Sequence, residues 1–239
     1  MCIYIVVTLL STPTATSMDA SRNFVSGDGD GVIWRGVMLA PIHPHRLCLS
    51  AAPVRPSRSY VLYWMISARR TRWSHGLQQA VRWSQQLGKP LVVFEPLRAG
   101  SKWSSERVHR FVLQGMHDNA VRLAEAGVTY YPFVEPEPGH GRGLLEALAA
   151  DAAVVVTDAF PTHFLPRMVQ VAGDRLDVRM DVVDGNGVIP MAAPGRDFTV
   201  AHSFRRWVQK NVADLWDPPV ADPLVAGLGG ARIAQATLS

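Results

Sequence analysis

The stretch AVVVT at 153–157 is apolar without interruption until its final residue. A strand with one wet face alternates apolar and polar residues. A continuous apolar run instead points to burial on both faces, as in a parallel sheet covered by helices on each side. Four other runs have strand composition: YVLYWMI (60–66), LVVFEPL (91–97), VTYYPFV (128–134) and VRMDVVD (178–184). Helical periods separate them. Residues 73–87 set Trp73, Leu77, Ala80, Val81, Ser84 and Leu87 on one stripe. Gly88 stops that helix, which Pro90 could not extend. Ser104 is placed to cap a helix to about Ala126, with Val108, Phe111, Val112, Met116 and Leu123 at helical spacing. LLEALAA (144–150), FLPRMVQVAGDRL (164–176) and AHSFRRWVQKNV (201–212) read as further helices.

Five alternations of this type predict an α/β fold: a five-stranded parallel sheet with helices on both faces, Rossmann-like. Ligands of such sheets bind outside the carboxyl ends of the strands, near the reversal of strand order. The loops that matter are therefore 66–73, 96–104, 134–142 and 157–163.

The chain has 239 residues, 48% apolar and 18% charged, which is globular composition. Its formal charge is +4 and its basic residues are nearly all Arg. Arg pairs well with phosphate and carboxylate, so an anionic partner is allowed but not demanded. Cys2 and Cys48 belong to no CxxC or Cys/His cluster, which argues against a disulfide framework and a zinc site. A reducing, cytoplasmic compartment is the simpler expectation. The opening MCIYIVVTLLSTPTATS has the apolar texture of a weak secretion signal. It lacks a positive leading region, however, and is too short to span a bilayer. Residues 1–45 are expected to be a disordered or spurious extension, with Met18 or Met38 as alternative starts. No other segment has transmembrane character.

Residues 11–58 have no steady period and read as loop or disorder. SGDGDG (26–31) follows no strand, so it is not a phosphate loop, and it lacks the later ligands of a calcium loop. A linker is the better reading.

At the strand ends, SARRTRW carries Arg69, Arg70 and Arg72. They suit anion or aromatic-ring recognition, although spacing alone favours a solvated turn with salt bridges. Asp158 follows the most apolar strand and could accept bonds from a ligand or cap the next helix. EPEPGHGRG offers acids, a His and flexible glycines, and equally suits a surface turn. His109 and His117 are eight apart, too far to chelate as neighbours on one helix face. Trp64, Trp73, Trp83 and Trp103 read as core rather than as a light-absorbing or electron-transfer set. No GxSxG, P-loop, GxGxxG after a strand, or HExxH occurs, so no catalytic set is visible.

YVLYWMISARRTRWSHGLQQAVRWSQQLGKPLVVFEPL nevertheless resembles the opening of the photolyase/cryptochrome family, most closely the class II cyclobutane pyrimidine dimer photolyases. RLCLSAAPVRPSRS looks like their lead-in, WSSERVHRFVLQGM like their long second helix, and GVTYYPFVEP like their third strand. VVVTDAFPTHFLPRMV looks like their fourth strand and the helix after it. VDGNGVIPM and FRRWVQK look like the segment that leaves the domain. The resemblance covers about residues 46–212. It implies an α/β domain over 46–200 that can hold an antenna chromophore, a deazaflavin or a folate, with Met65, Arg69 and Asp158 as candidate ligand-mouth residues. In the complete family enzyme a helical domain holds FAD, binds damaged DNA with the lesion flipped out, and splits the pyrimidine dimer by light-driven electron transfer.

Residues 201–239 are expected to begin a linker or helical region that stops short. The tail after Lys210 is too short and too rich in Gly, Ala and Pro for an FAD bundle. A truncated or mis-framed gene, or a separately encoded FAD domain, would account for that, and no residue here is assigned as catalytic. Two other readings stay open. One is a stand-alone α/β ligand-binding or interaction module. The other is an adenylyl-transfer enzyme, which would need a phosphate-cradling loop after the first strand, where SARRTRW has no glycine.

Overall fold

The computed structural model describes residues 38–100 and 104–228. SGDGDG and Trp103 lie outside them. Six strands form one mixed sheet: β1 (Leu47–Leu49), β2 (Tyr60–Trp64), β3 (Leu91–Leu97), β4 (Thr129–Val134), β5 (Ala152–Ala159) and β6 (Met180–Asp184). Their order is β1-β6-β5-β2-β3-β4. The five strands β2 to β6 are parallel, and β1 adds an antiparallel edge on β6, with Cys48 opposite Val182. The expected five-stranded parallel sheet is corrected to this extent. The segment RLCLS, expected to be loop, supplies a three-residue strand after a 3₁₀ turn at Pro44–Arg46.

The helices are α1 (His75–Leu87), α2 (Glu106–Glu125), α3 (Leu144–Ala149), α4 (Leu165–Arg175), α5 (Ala201–Leu215) and α6 (Pro223–Leu228). The Ser74 hydroxyl caps α1 by accepting from the Leu77 N–H at 3.2 Å. Gly88 ends it at φ 62°, a left-handed conformation that glycine adopts without a Cβ clash. Helix α2 is capped by Ser105, one residue later than the spacing predicts.

Strand β2 shows how the layers form. Val61, Tyr63 and Met65 point to one face, where Leu77, Ala80 and Val81 of α1 and Leu123 of α2 meet them. Tyr60, Leu62, Trp64 and Ile66 point to the other, against Leu148 of α3 and Val169 and Ala172 of α4. Each such large apolar side chain, fully buried, contributes about 1.5–3 kcal/mol. Leu39 and Ile42 join the first of these cores, as does Leu224 of α6, which lies along α1. Order reverses between β2 and β5, so the helices following these two strands leave on opposite faces. In sheets of this type, the end of the strands at that reversal is where a ligand crevice is expected.

Two core expectations fail locally. Trp73 precedes α1 and is 55% exposed, because the chain turns there at φ 51°. Val108 and Phe111 are exposed, Phe111 at 76%, on the first half of α2, where no side chain before Met116 is buried. Trp64 is buried and Trp83 packs at the edge of the core. No helix among the described residues is long and apolar enough to cross a membrane.

Candidate functional site

The loop from β2 to α1 is held from both sides by carboxylates of neighbouring strands. Asp158, at the end of β5, turns back across the sheet. Its Oδ2 accepts from the backbone N–H groups of Ile66, Ser67 and Ala68 at 3.2, 3.0 and 3.2 Å. Its Oδ1 accepts from the Tyr63 hydroxyl at 2.8 Å. Burial, and then the Asp158 charge, push the Tyr63 phenol well above its ordinary pKa, so it stays a donor. Asp158 does not cap the next helix. Helix α4 begins after Phe164 without a side-chain cap.

Glu95 of β3 holds the same loop from the other side. Arg69 donates from Nη1 to Glu95 Oε1 at 3.1 Å and from Nη2 to the Pro96 carbonyl at 2.6 Å. Glu95 Oε2 accepts from Asn119 Nδ2 at 3.0 Å and from the Tyr130 hydroxyl at 2.8 Å. Burial, then the charge and hydrogen bond of Glu95, raise the Tyr130 phenol far above its usual range. Arg69 itself sits at φ 40°, a left-handed conformation costly for a residue with a side chain. The network of fixed partners offsets that cost. Met65 is fully buried beside this network, with its Sδ 3.8 Å from Asn119 Nδ2. Arg70 donates to the Trp73 carbonyl, and Arg72 lies 3.7 Å from Asp222.

Beside Arg69 opens a cavity of about 880 Å³ above the carboxyl ends of β2, β3 and β4. Trp64, Ile66, Phe94, Phe133, Leu165 and Met168 give it an apolar, aromatic wall. Arg69, Arg98, Arg142 and Arg175 line it with Glu135 and Glu146; Arg69 is paired with Glu95, Arg175 lies 3.7 Å from Glu146, and the Arg98 guanidinium lies 5.5 Å from the centre of the Phe164 ring. Glu135 pins one side. It accepts from the Ala99, Gly139 and Gly141 N–H groups at 2.9, 2.8 and 3.3 Å. Burial opposes its charge, but these three donors and Arg98 outweigh burial and hold its carboxyl below the ordinary value. A second depression of about 540 Å³ runs along α2. It is walled by one helix and has nothing opposite to orient a ligand.

The cavity thus has a flat, greasy wall and a cationic rim, which suits a planar aromatic molecule carrying negative charge. Of the three residues singled out in the sequence, Arg69 lines the cavity, Asp158 holds the loop that carries Arg69, and Met65 lies in the core below. Among the described residues no three His, Cys, Asp or Glu side chains gather to hold a metal. Sequence reasoning missed Glu95, Asn119 and Tyr130, and left Glu135, in EPEPGHGRG, between ligand approach and surface turn. The one available signal was a carboxylate inside the apolar strand LVVFEPL, since buried acids are rare unless paired.

No family model matches the chain. The chain is similar to a deoxyribodipyrimidine photo-lyase of Methanothermobacter thermautotrophicus, 28% identical over 161 residues, 67% of this chain. It spans about a third of that relative's length, 35%. A solved structure of a protein from the universal stress protein family from Burkholderia pseudomallei covers 52% of this chain and 96% of its own at 16% identity. Its TM-score is 0.33, a likeness too slight to support any inference.

Proposed function

We propose that this chain is the ligand-binding α/β domain of a photolyase-like protein, and that its 880 Å³ cavity holds a planar anionic chromophore of the deazaflavin or folate class. The observation that carries this reading is the aromatic wall at the carboxyl ends of the parallel strands in a cavity that four arginines also line, two of them, Arg69 and Arg175, already facing Glu95 and Glu146. The similarity to a deoxyribodipyrimidine photo-lyase over the α/β region supports it. When bound, the chromophore would supply light absorption. The residues of this chain would do the rest: Phe133 and Phe164 offer ring faces, Trp64 and Phe94 floor the cavity and exclude water, Arg98 faces the negative charge, and Asp158 and Glu95 fix the loop that carries Arg69. The cleavage of pyrimidine dimers belongs, in this proposal, to an FAD-bearing helical part that engages damaged DNA. The α/β domain contributes no catalytic group.

The test is reconstitution. The purified protein is titrated with a deazaflavin and with a reduced folate, following absorbance above roughly 350 nm, where such cofactors absorb. Saturable binding of one of them, weakened at least about tenfold in Arg98→Ala, about 1.4 kcal/mol, is expected. Failure of both ligands, or binding that the arginine variant leaves unchanged, would overturn the reading.

A further inference from the structure

We infer that Asp158 is a built-in anion that fills a phosphate-type cradle at the reversal of strand order, and so determines which ligands this domain excludes. The inference is independent of what the 880 Å³ cavity binds.

In α/β sheets, the loop after the first strand and the start of its helix present backbone N–H groups to an incoming anion. The N–H groups of Ile66, Ser67 and Ala68 converge in this way here. They converge on one oxygen, Asp158 Oδ2, at 3.0–3.2 Å. Asp158 is 4% exposed, and its other oxygen is taken by the Tyr63 hydroxyl. The first turn of α1 closes over the pair. A Cβ placed on Gly76 would lie 2.8 Å from both Asp158 Oδ1 and Tyr63 Oη. That contact leaves only a glycine's width between helix and carboxylate. The position a phosphate oxygen would take is therefore occupied by the chain itself, with matching charge and matching donors.

A phosphate-bearing ligand would have to displace Asp158, strand the Tyr63 hydroxyl and leave two anions in one dry crevice, each step unfavourable. The loop needs no glycine because its occupant is a side chain that arrives from the neighbouring strand rather than a ligand that enters from solvent. The same sheet thus closes the crevice between β2 and β5 and leaves the cavity over β2, β3 and β4 open.

Removing the carboxylate should convert the cradle into an anion site. The probe is inorganic phosphate, read by the backbone amide resonances of Ile66, Ser67 and Ala68 in the wild type, in Asp158→Ala and in Asp158→Ser. In the wild type these amides should not move. In the variants they should shift saturably, with phosphate binding at least about tenfold tighter than in the wild type. Saturable movement of the wild-type amides would show an open cradle and overturn the inference. So would a folded variant whose three amides ignore phosphate. The serine variant keeps a hydroxyl near Tyr63 should the alanine variant not fold, and the folded variant decides between a filled cradle and none. Chromophore binding in the cavity is measured separately, so a failure there leaves this result intact.

Discussion

Arg69 and Glu95 form an ion pair of unequal burial: Nη1 and Oε1 lie 3.1 Å apart, with the guanidinium 25% exposed and the carboxylate 1% exposed. The buried partner depends on the exposed one. Arg69→Ala should therefore destabilise the fold by about 3 kcal/mol, since it leaves a charged carboxylate uncompensated in the interior. Urea unfolding measures this. Adding Glu95→Gln to the variant should recover part of the loss, because the neutral amide no longer needs the cation. A double variant as unstable as the sum of the singles would show that the two do not interact.

Gly76 should not tolerate a methyl group. Alanine favours a helix by about 1 kcal/mol over glycine. At this position its Cβ would press on Asp158 and Tyr63 at 2.8 Å. Gly76→Ala is expected to cost about 1–3 kcal/mol net despite the helical preference. Thermal unfolding, with the shift of the Ser67 amide, checks it.

The strands could be read in the sequence because short β-branched or aromatic runs alternate with helical periods, and β5 needed nothing more than AVVVT. Strand β1 could not be read. Three residues at a sheet edge carry no period, and Leu47 and Leu49 sit among Ser and Pro that suggest a loop. The site was half legible for a related reason. Arg69 and Asp158 stand where strand-end loops must lie, so position put them among the candidates and the family resemblance chose them. Their partners were hidden because Asp158 reaches loop 66–68 from 90 or more residues away, and Glu95 meets Asn119 and Tyr130 from separate elements. Such pairings depend on strand order, which local pattern does not contain.

His75 gives the fold an acid-side weakness. Its ring is buried beside Arg46 and Asp217, its Nε2 lies 2.8 Å from the Asp217 carbonyl, and its Nδ1 has no partner. Burial is the main cause of its lowered pKa, and Arg46 adds to it, against opposing effects of the Asp217 carbonyl, Asp217 and Asp184. With the folded value below 6.5, both states are neutral at higher pH and stability is unaffected there. Below 6.5 the unfolded chain takes up the proton first, so stability falls until the folded value is reached. The slope is at most about 1.4 kcal/mol per pH unit for one proton. Denaturant melts at pH 7.5 and 5.5, expected to differ in the wild type and less in His75→Gln, test the assignment.

Glu135 acts in the opposite sense. Its carboxyl is held below 4.5, so its stabilisation is present above that value and is lost as pH falls through the folded pKa. Glu135→Gln presents an amide to donors that need an acceptor and should cost about 1–3 kcal/mol. Acid titration of both proteins should show a shallower loss for the variant. Equal curves would assign the acid sensitivity elsewhere.

Arg46 carries a consequence for the order in which the chain assembles. Only 1% exposed, it donates to the carbonyls of Asp184 and Val188 at 3.1 and 2.9 Å and lies 3.3 Å from Asp217. Each partner is more than 130 residues away in sequence. Closing so long a loop is slow and draws on contacts made earlier. The edge formed by β1, the turn after β6 and the end of α5 should therefore lock late in refolding, which pulse-labelled hydrogen exchange of the β1 amides measures. The strands β2, β3 and β4, which wall the cavity, pair with one another and with β5 rather than with β1, so late closure of that edge should leave the shape of the site unchanged.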